Sequence, residues 1–357
     1  MIALPADSST YRKSSVTVRL VSGVGVLLLL LLGVVLFSLS VGPFSIPISH
    51  VFGIVLSAFG MDVSNFSQTE RLVLEQLRLP RIVEGALVGA ALGLAGATLQ
   101  GLFRNPMADP GIIGVSAGGS LGAVVAIAFG LDGLFLLALP SCAFIGAIAA
   151  MGLVYLIAFA GARFSVATLL LGGVAVGSFL NATISGIIVL VPHNDALREI
   201  IFWLAGGLDG STWAHVQVSA PLILGGTLLI LVTARDLNLL MLGDEDARSM
   251  GVRVGPTRTL LIVCASLVTG VAVAFSGTIA FVGLVVPHML RLMFGPDHRL
   301  LLPMSALGGA ILLVVADTLA RTVIQPAEMR VGIITALIGA PFFVFLLIRH
   351  KRQVETF

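Results

Sequence analysis

Ten long apolar stretches alternate with short charged or turn-rich segments along the chain. A helix needs about 20 apolar residues to cross a hydrocarbon core of about 30 Å, and few other structures satisfy their backbone in lipid. The first stretch follows Arg12, Lys13 and Arg19 and lacks a small-residue cleavage site, which indicates a retained span. The sequence therefore predicts an all-α polytopic membrane protein with ten transmembrane helices, at roughly 20–41, 80–103, 112–130, 134–160, 166–191, 214–233, 257–275, 278–294, 300–322 and 329–349.

The composition supports this class of protein. Hydrophobic residues make up 57% and charged residues 11%, against roughly 45–50% and about 25% in soluble proteins. So few charges cannot hydrate the surface of a globule, which excludes a soluble enzyme, a nucleic-acid-binding protein and a disulfide scaffold. The net charge of +2 is too small to imply a polyanionic partner. Cys142 and Cys264 lie in apolar stretches, so we expect free thiols.

The distribution of positive charge sets the predicted topology. Residues 259–290 carry no formal charge and would measure about 48 Å as one helix at ~1.5 Å per residue. A hairpin bending at Ser276 and Gly277 places fourteen of the Lys and Arg residues inside and six outside, whereas one long helix gives eleven and nine. Positive residues favour the cytoplasmic side. We therefore expect the hairpin, with both termini cytoplasmic.

Three Gly- or Pro-rich breaks interrupt the apolar pattern: Arg104–Gly111, Leu204–Gly210 and Ser276–Gly277. Irregular backbone at membrane depth usually lines protein or a water-filled cavity, and paired breaks point to a transport pathway. The break at 204–210 lies between the only two tryptophans, so it is either an element at the outer interface or a plain Gly-rich loop. A faint similarity between residues 94–98 and 275–279 predicts a weak inverted repeat.

No motif for chemistry is complete in this chain. A P-loop needs a lysine after a glycine, and neither lysine follows one. The overlapping Gly-x-Ser-x-Gly patterns of 114–122 sit at the start of an apolar span, where small residues serve helix packing. The six histidines are scattered and mostly interfacial. We expect no catalytic site, no metal site and no cofactor bound by the chain itself.

Two acidic residues lie inside predicted spans, where charge is costly. Glu84 is one turn from Arg81, and Asp317 is four residues before Arg321. This spacing predicts local ion pairs rather than proton coupling. If the chain is a transporter, its energy should therefore come from a partner.

Two sets of residues are candidate contacts with partners. Segment 235–258 contains a short helix with an acidic first turn, which is either a docking element or a solvated connector; its candidate residues are Leu242, Gly243, Asp244, Ala247, Arg248, Met250, Gly251 and Val252. Arginines on the outer side run against the positive-inside rule. They either bind acidic groups of a partner or ligand or form local pairs; these are Arg78, Arg81, Arg321 and Arg198.

A long series of motifs resembles the permease subunits of ABC importers for iron-siderophores, haem and vitamin B12, the FecCD type. The matching segments cover about residues 70–350, although Met329 and Arg330 replace an expected Leu/Met-Pro. They are Leu77–Arg81, Gly89–Gly101, Asn105–Pro110, Gly114–Gly118, Leu170–Ala175, Phe202–Gly207, Leu242–Gly243, Gly283–His288, Gly308–Gly309, Ala316–Arg321 and Val331–Phe343.

The resemblance implies the type II ABC importer architecture and its assembly. It implies a second permease subunit, expected to be a copy of this chain, two cytosolic ATPases that bind ATP-Mg, and a periplasmic binding protein, in the bacterial inner membrane without nucleic acid. Segment 1–19 and tail 350–357 would be cytoplasmic, and 20–349 would form one permease domain with coupling segment 235–258. Under this resemblance 242–252 couples to the ATPases, and Arg78, Arg81 and Arg321 dock the binding protein.

The resemblance also suggests a cargo. The loop before span five corresponds to the inner gate, where vitamin B12 members carry small hydroxyl residues and this chain has Ser165, Val166 and Ala167. An apolar gate with Arg198 at the outer mouth favours haem, then a ferric siderophore, moved by alternating access along spans five, eight and ten. Cobalamin import is the alternative within the family. An ion-coupled secondary transporter and a non-transporting scaffold are the alternatives from other classes.

Overall fold

The computed structural model describes residues 16–58, 66–159, 165–325 and 327–354, and this part of the chain is helical without strands. The helices follow one another in the order α1 Val16–Ser40, α2 Ile48–Ala58, α3 Gln68–Leu72, α4 Leu79–Leu102, α5 Val115–Ala128, α6 Ala138–Phe159, α7 Val166–Leu190, α8 Asn194–Leu204, α9 Trp213–Val232, α10 Ala234–Leu242, α11 Asp244–Ser249, α12 Val254–Ser276, α13 Val282–Phe294, α14 His298–Thr322 and α15 Val331–Val354. A π-helical turn, Val73–Arg78, joins α3 to α4.

Every predicted span coincides with a helix, but the helices differ in length. Within the described residues, seven helical stretches are long and apolar enough to cross a membrane: 18–40, 68–102, 138–159, 166–190, 213–232, 254–276 and 298–322. Helices α5 and α13 are shorter, with 14 and 13 residues. The predicted break at Ser276 is confirmed, because α12 ends there and α13 begins at Val282. The number of ten crossings, the side of the termini and the inverted repeat stay predictions.

The core of the molecule is the close pair α4 and α14. A Cβ atom on Gly89 would lie 2.3 Å from the carbonyl oxygen of Gly309, and one on Gly93 would lie 2.2 Å from that of Ser305. Only glycine permits this approach. Helix α13 packs against the same pair, since a Cβ on Gly96 would collide with the backbone of Gly283. These three helices therefore behave as one packed unit, whereas α1, α6, α7 and α9 expose many apolar side chains.

An outer segment that the sequence analysis did not predict follows α1. Helix α2 packs Val51 and Ile54 against the chain, and α3 begins with a capping box between Ser67 and Glu70. Helix α2 is apolar but has only 11 residues, too few to cross a membrane, and α3 is short and polar. The segment covers one end of α4 and α14, and residues 59–65 within it lie outside the described part.

Helix α5 is short because the chain before it turns back towards the packed helices. Pro110–Ile113 forms a 3-10 turn. The ring of Pro110 lies against Gly283, and a Cβ atom on Gly173, the eighth residue of α7, would collide with the carbonyl oxygen of Ile112. The predicted break Arg104–Gly111 and the residues up to Gly114 therefore fold back against the packed helices. Irregular backbone within a membrane is tolerated where it is buried in protein or lines a cavity.

Candidate transport site

Two of the predicted breaks meet in one backbone junction. Gly207 donates its N–H to the carbonyl of Ser276 at 2.8 Å, and Gly332, at the start of α15, donates to the carbonyl of Gly206 at 3.2 Å. Gly206 and Gly277 have positive φ angles of 69° and 66°, and a Cβ on either would collide with a carbonyl oxygen across the junction. The Leu204–Gly210 break is therefore more than a plain loop.

Two adjoining cavities lie beside this junction. One, of about 620 Å³, lies between the 3-10 turn, the 278–280 segment and α15. The other, of about 340 Å³, lies between α5 and α7. Both are bordered by Gly111, Ser116 and Thr278, so they form one groove. Its walls come from predicted spans three, five, eight and ten, which include the three expected to line the pathway.

The walls of this groove are apolar with a few neutral polar groups. Hydroxyls come from Ser116, Ser120, Ser178 and Thr278, and one amide comes from Asn181. Among the described residues that border it, Asp109 alone is ionisable, and its Oδ1 accepts from the N–H of Gly111 at 2.8 Å. The described walls offer no cation to a bound anion.

The predicted inner gate lies at the start of α7. The hydroxyl of Ser165 caps this helix by accepting from the N–H of Thr168 at 3.3 Å. Val166 and Ala167 form the first turn, and Ala167 is exposed. The preceding residues 160–164 lie outside the described part. The structure leaves the gate a prediction and assigns Ser165 a structural role in addition.

The predicted coupling segment contains the two short helices α10 and α11, joined at Gly243 with a φ of 143°. Leu242 and Met250 are 59% and 55% exposed, an unusual amount for large apolar side chains beside charged residues. Their exposed neighbours include Glu245, Asp246, Arg248 and Gly251.

Two residues of the predicted coupling set do not face outward. Ala247 is fully buried and Val252 is 7% exposed, because the short helix α11 packs this face against the rest of the chain. Asp244 is engaged with Arg258 at 2.7 Å. The exposed members of the set are therefore the ones that remain candidates for direct contact.

The predicted docking arginines are drawn into an internal network. Arg78 is 5% exposed and donates to the carbonyls of Leu39 and Phe44. Arg321 is 3% exposed and pairs with Asp317 at 3.1 Å, as its spacing predicted. Both guanidinium groups are buried and engaged within the chain in this conformation, and their docking of the binding protein stays a prediction.

Arg81 differs from the other two arginines. It bridges Asp317, at 2.9 Å, and Glu328, at 2.8 Å, and the Glu328 side chain is 36% exposed. Arg81 lies at the edge of the network, where a carboxylate of a partner could compete with Glu328.

The predicted local pair between Glu84 and Arg81 is wrong. Glu84 is fully buried, and its Oε2 accepts from the hydroxyl of Ser219 on α9 at 2.8 Å. Its other oxygen has no hydrogen-bond partner among the described residues. Arg81 points instead to α14, whose Asp317 lies 236 residues away in sequence. Glu84 is therefore the isolated buried carboxylate that the sequence analysis did not expect.

Arg198 lies on α8 and borders a cavity of about 560 Å³. Four carboxylates border the same cavity, and the one on Asp209 pairs with Arg330, which also stacks on the ring of Phe202 at 4.4 Å. The others belong to Asp132, Asp195 and Glu199. Partial burial raises the pKa of Glu199, and the nearby charge of Asp132 raises it further. The cavity is thus predominantly acidic, which weakens the expectation that Arg198 attracts an anionic cargo.

A multi-pass helical bundle with a groove beside broken helices, and exposed apolar residues on short inner helices, defines a membrane transport permease. The FecCD transport family matches residues 28–349, and the chain belongs to this family. It is thus the permease of an ABC importer.

Three comparisons illustrate the relationship. The chain is 49% identical to the cobalamin import system permease protein BtuC of Halobacterium salinarum over 81% of this chain and 76% of that protein. It is 44% identical to the hemin transport system permease protein HmuU of Yersinia pestis, over 78% and 83%. A metal-chelate type ABC transporter in an inward-facing conformation has a TM-score of 0.80 at 33% identity, over 91% and 98%.

Proposed function

We propose that this chain is the permease of an ATP-driven importer for a large metal-centred ring, with cobalamin ranked before haem. The observation that carries this ranking is the groove, whose described walls hold neutral hydroxyls, one amide and a single carboxylate. A ring with amide side chains can hydrogen-bond to such walls. The propionates of haem would need cations, because a charge buried without a partner is costly.

The relatives support the same class of cargo. Two permeases more than 40% identical to this chain bear names for cobalamin and hemin transport. The acidic cavity around Arg198 removes the main reason to prefer haem. Haem remains the second candidate because of the hemin transport relative.

The proposed assembly follows the family pattern. Two copies of this chain enclose the pathway in the bacterial inner membrane, two ATPase subunits bind ATP-Mg below them, and a periplasmic binding protein delivers the cargo above. Helix α7 supports the second copy, because its exposed residues Ser178 and Asn181 would be costly in lipid. The chain itself binds no cofactor and performs no chemistry.

The proposed coupling surface is the exposed part of α10 and α11. Leu242 and Met250 supply apolar contacts, and Arg248 and Glu245 supply charges at the rim. On the opposite side, Arg81 is the arginine proposed to meet an acidic group of the binding protein, by displacing Glu328. Arg78 and Arg321 hold Arg81's surroundings in place.

The experiment is uptake into proteoliposomes that contain the chain with its ATPase and binding protein. We expect ATP-dependent uptake of cobalamin, weaker uptake of haem and none of a ferric siderophore. Uptake of the siderophore alone would overturn the ranking. Uptake that follows a proton or sodium gradient without ATP would overturn the ATP-driven mechanism.

A further inference from the structure

A cluster of three polar side chains ties the inner helix α10 to the start of α14; we call Asn238, Asp297 and His298 the amide clamp. Asn238 donates its Nδ2 to Asp297 Oδ1 at 2.7 Å. Asn238 Oδ1 lies 2.9 Å from the backbone N–H of His298 and 2.8 Å from its Nδ1. One amide therefore fills both its donor and its acceptor roles across two helices.

The clamp also fixes the tautomer of His298. The Oδ1 atom of Asn238 can only accept, so Nδ1 of His298 must carry the proton. Nε2 then has no proton, and it has no hydrogen-bond partner within the described chain. A Cβ on Gly101 of α4 would lie 2.4 Å from Nε2. His298 is fully buried, so the clamp reaches from α10 through α14 to the end of α4.

Other contacts hold the coupling helix α11 to this clamp. Arg104, just after α4, donates to the carbonyl of Leu240 on α10 at 2.6 Å and lies 3.9 Å from Asp244. Leu237 and Leu240 are buried on the inner face of α10. A displacement of α11 therefore moves α10, and α10 cannot slide without breaking buried hydrogen bonds, which are strong in a low dielectric.

The packed unit of α4, α13 and α14 connects the clamp to the groove. Helices α4 and α14 are locked through Gly89 and Gly309, and α4 is locked to α13 through Gly96 and Gly283. Thr278, just before α13, borders the groove. A continuous series of close contacts thus connects the exposed residues of α11 to the cargo.

We propose that Asn238 is a positioning residue that transmits movement of the ATPase-coupled helix α11 to α14 and α4, and so to the groove. This inference rests on the proposed function. It assigns the transmission to an amide on α10 rather than to α12, which follows α11 directly in the chain. A proposed route needs a direct measurement of coupling between its members.

The test is an exchange of the two partners in the purified complex. Asn238→Asp places two carboxylates against each other, whereas Asp297→Asn keeps an oxygen that can still accept from Asn238 Nδ2. The double variant Asn238→Asp/Asp297→Asn restores the hydrogen bond in the opposite sense. It also keeps a residue at 297 that caps α14, because Asn caps as well as Asp. Asp236→Asn, on the same helix but outside the clamp, is the matched control.

The measurement is the amount of cargo moved per ATP hydrolysed, together with retention of the ATPase and the melting temperature. We expect Asn238→Asp to lower the transport ratio by about threefold or more, Asp297→Asn to change it little, and the double variant to recover most of the loss, with the ATPase retained throughout. An unchanged ratio in Asn238→Asp, or a double variant that folds normally without recovery, overturns the clamp. Loss of ATP-driven uptake in the unaltered complex would instead overturn the proposed function.

Discussion

Asp317 is the residue on which the outer arginine network depends. Its two oxygens accept from Arg81 at 2.9 Å and from Arg321 at 3.1 Å, and its side chain is 2% exposed. The spacing along α14 predicted the second contact. It could not predict the first, because the two residues are 236 positions apart and meet only after α4 and α14 have packed. Pairing by helical spacing was therefore right for Arg321 and wrong for Glu84.

We expect Asp317→Asn to destabilise the protein strongly. The change leaves two guanidinium groups near a neutral amide in a buried site, and breaking one partner of a buried pair costs about 3–5 kcal/mol. The matched control is Glu75→Gln, which makes the same chemical change in the exposed pair of Arg71 and Glu75 and should cost at most about 1 kcal/mol. Melting temperatures in detergent measure both. Equal losses of melting temperature in the two variants would show that the buried network adds no more stability than the exposed pair.

We expect Glu84→Gln to keep ATP-driven uptake and to raise the melting temperature. The amide fits the same space and keeps an oxygen for the hydroxyl of Ser219, while it removes a carboxylate that lacks a second partner. The measurement is uptake with and without a proton gradient. If uptake by the unaltered protein depends on the proton gradient and Glu84→Gln abolishes that uptake, the result would favour an ion-coupled transporter.

At the scale of elements, the long helices could be predicted and the short ones could not. Spans of about 20 apolar residues are unambiguous because lipid tolerates few alternatives. Helix α2 is too short to be recognised as a span, and α3 is polar. They are stabilised by contacts of Val51 and Ile54 and by a capping box, which become decisive only in three dimensions. The depth of the 104–114 segment is likewise set by its contacts with Gly173 and Gly283.

The crossing of α4 and α14 should be intolerant of any side chain. We expect Gly89→Ala to destabilise the protein by about 1–3 kcal/mol, the usual cost of overpacking, because its Cβ would lie 2.3 Å from a backbone oxygen. Gly25→Ala on α1 is the control, since nothing lies within 4 Å of that position. It should be neutral or stabilising by up to about 1 kcal/mol through helix propensity. The melting temperatures of the two variants measure this difference in stability.

The coupling helix should bind its partner through the side chains that it exposes. We expect Met250→Asp to lower the ATPase that co-purifies with the chain by about tenfold, the loss produced by ~1.4 kcal/mol of binding energy. Leu72→Asp is the control, because this leucine is 60% exposed on α3 at the other side of the predicted bilayer. A loss of the ATPase in both variants would contradict the predicted topology. A normal yield of co-purified ATPase with Met250→Asp would show that the ATPase docks elsewhere on the chain.

At the scale of the whole molecule, the exposed polar residues of α7 predict an incomplete pathway in one chain. Gentle extraction followed by mass measurement of the intact complex should give two of these chains with two ATPase chains. A second, different membrane chain would keep the class and replace the proposed homodimer. This chain alone in several mild detergents would contradict the proposed assembly.

The sequence therefore predicts the class of transporter better than it predicts the cargo. The family motifs are long and continuous in the sequence, so they can be recognised without knowledge of the contacts. The groove is built from residues 109, 116, 181, 278 and 336, which are scattered along the chain and come together only after folding. The lack of a described cation in the groove therefore cannot be deduced from the sequence, and the acidic neighbours of Arg198 do not support the predicted attraction of an anionic cargo.

The backbone junction has a consequence for how such a permease can diverge. Gly206, Gly277 and Gly332 meet carbonyl oxygens with no room for a side chain, so these positions cannot vary without moving three helices. The groove beside them is also bordered by small side chains that lie outside the junction, among them Ser116, Ala117, Val174 and Ala336. A lineage can therefore acquire a new cargo by exchanging serines, alanines and valines along the groove while it inherits the frame unchanged.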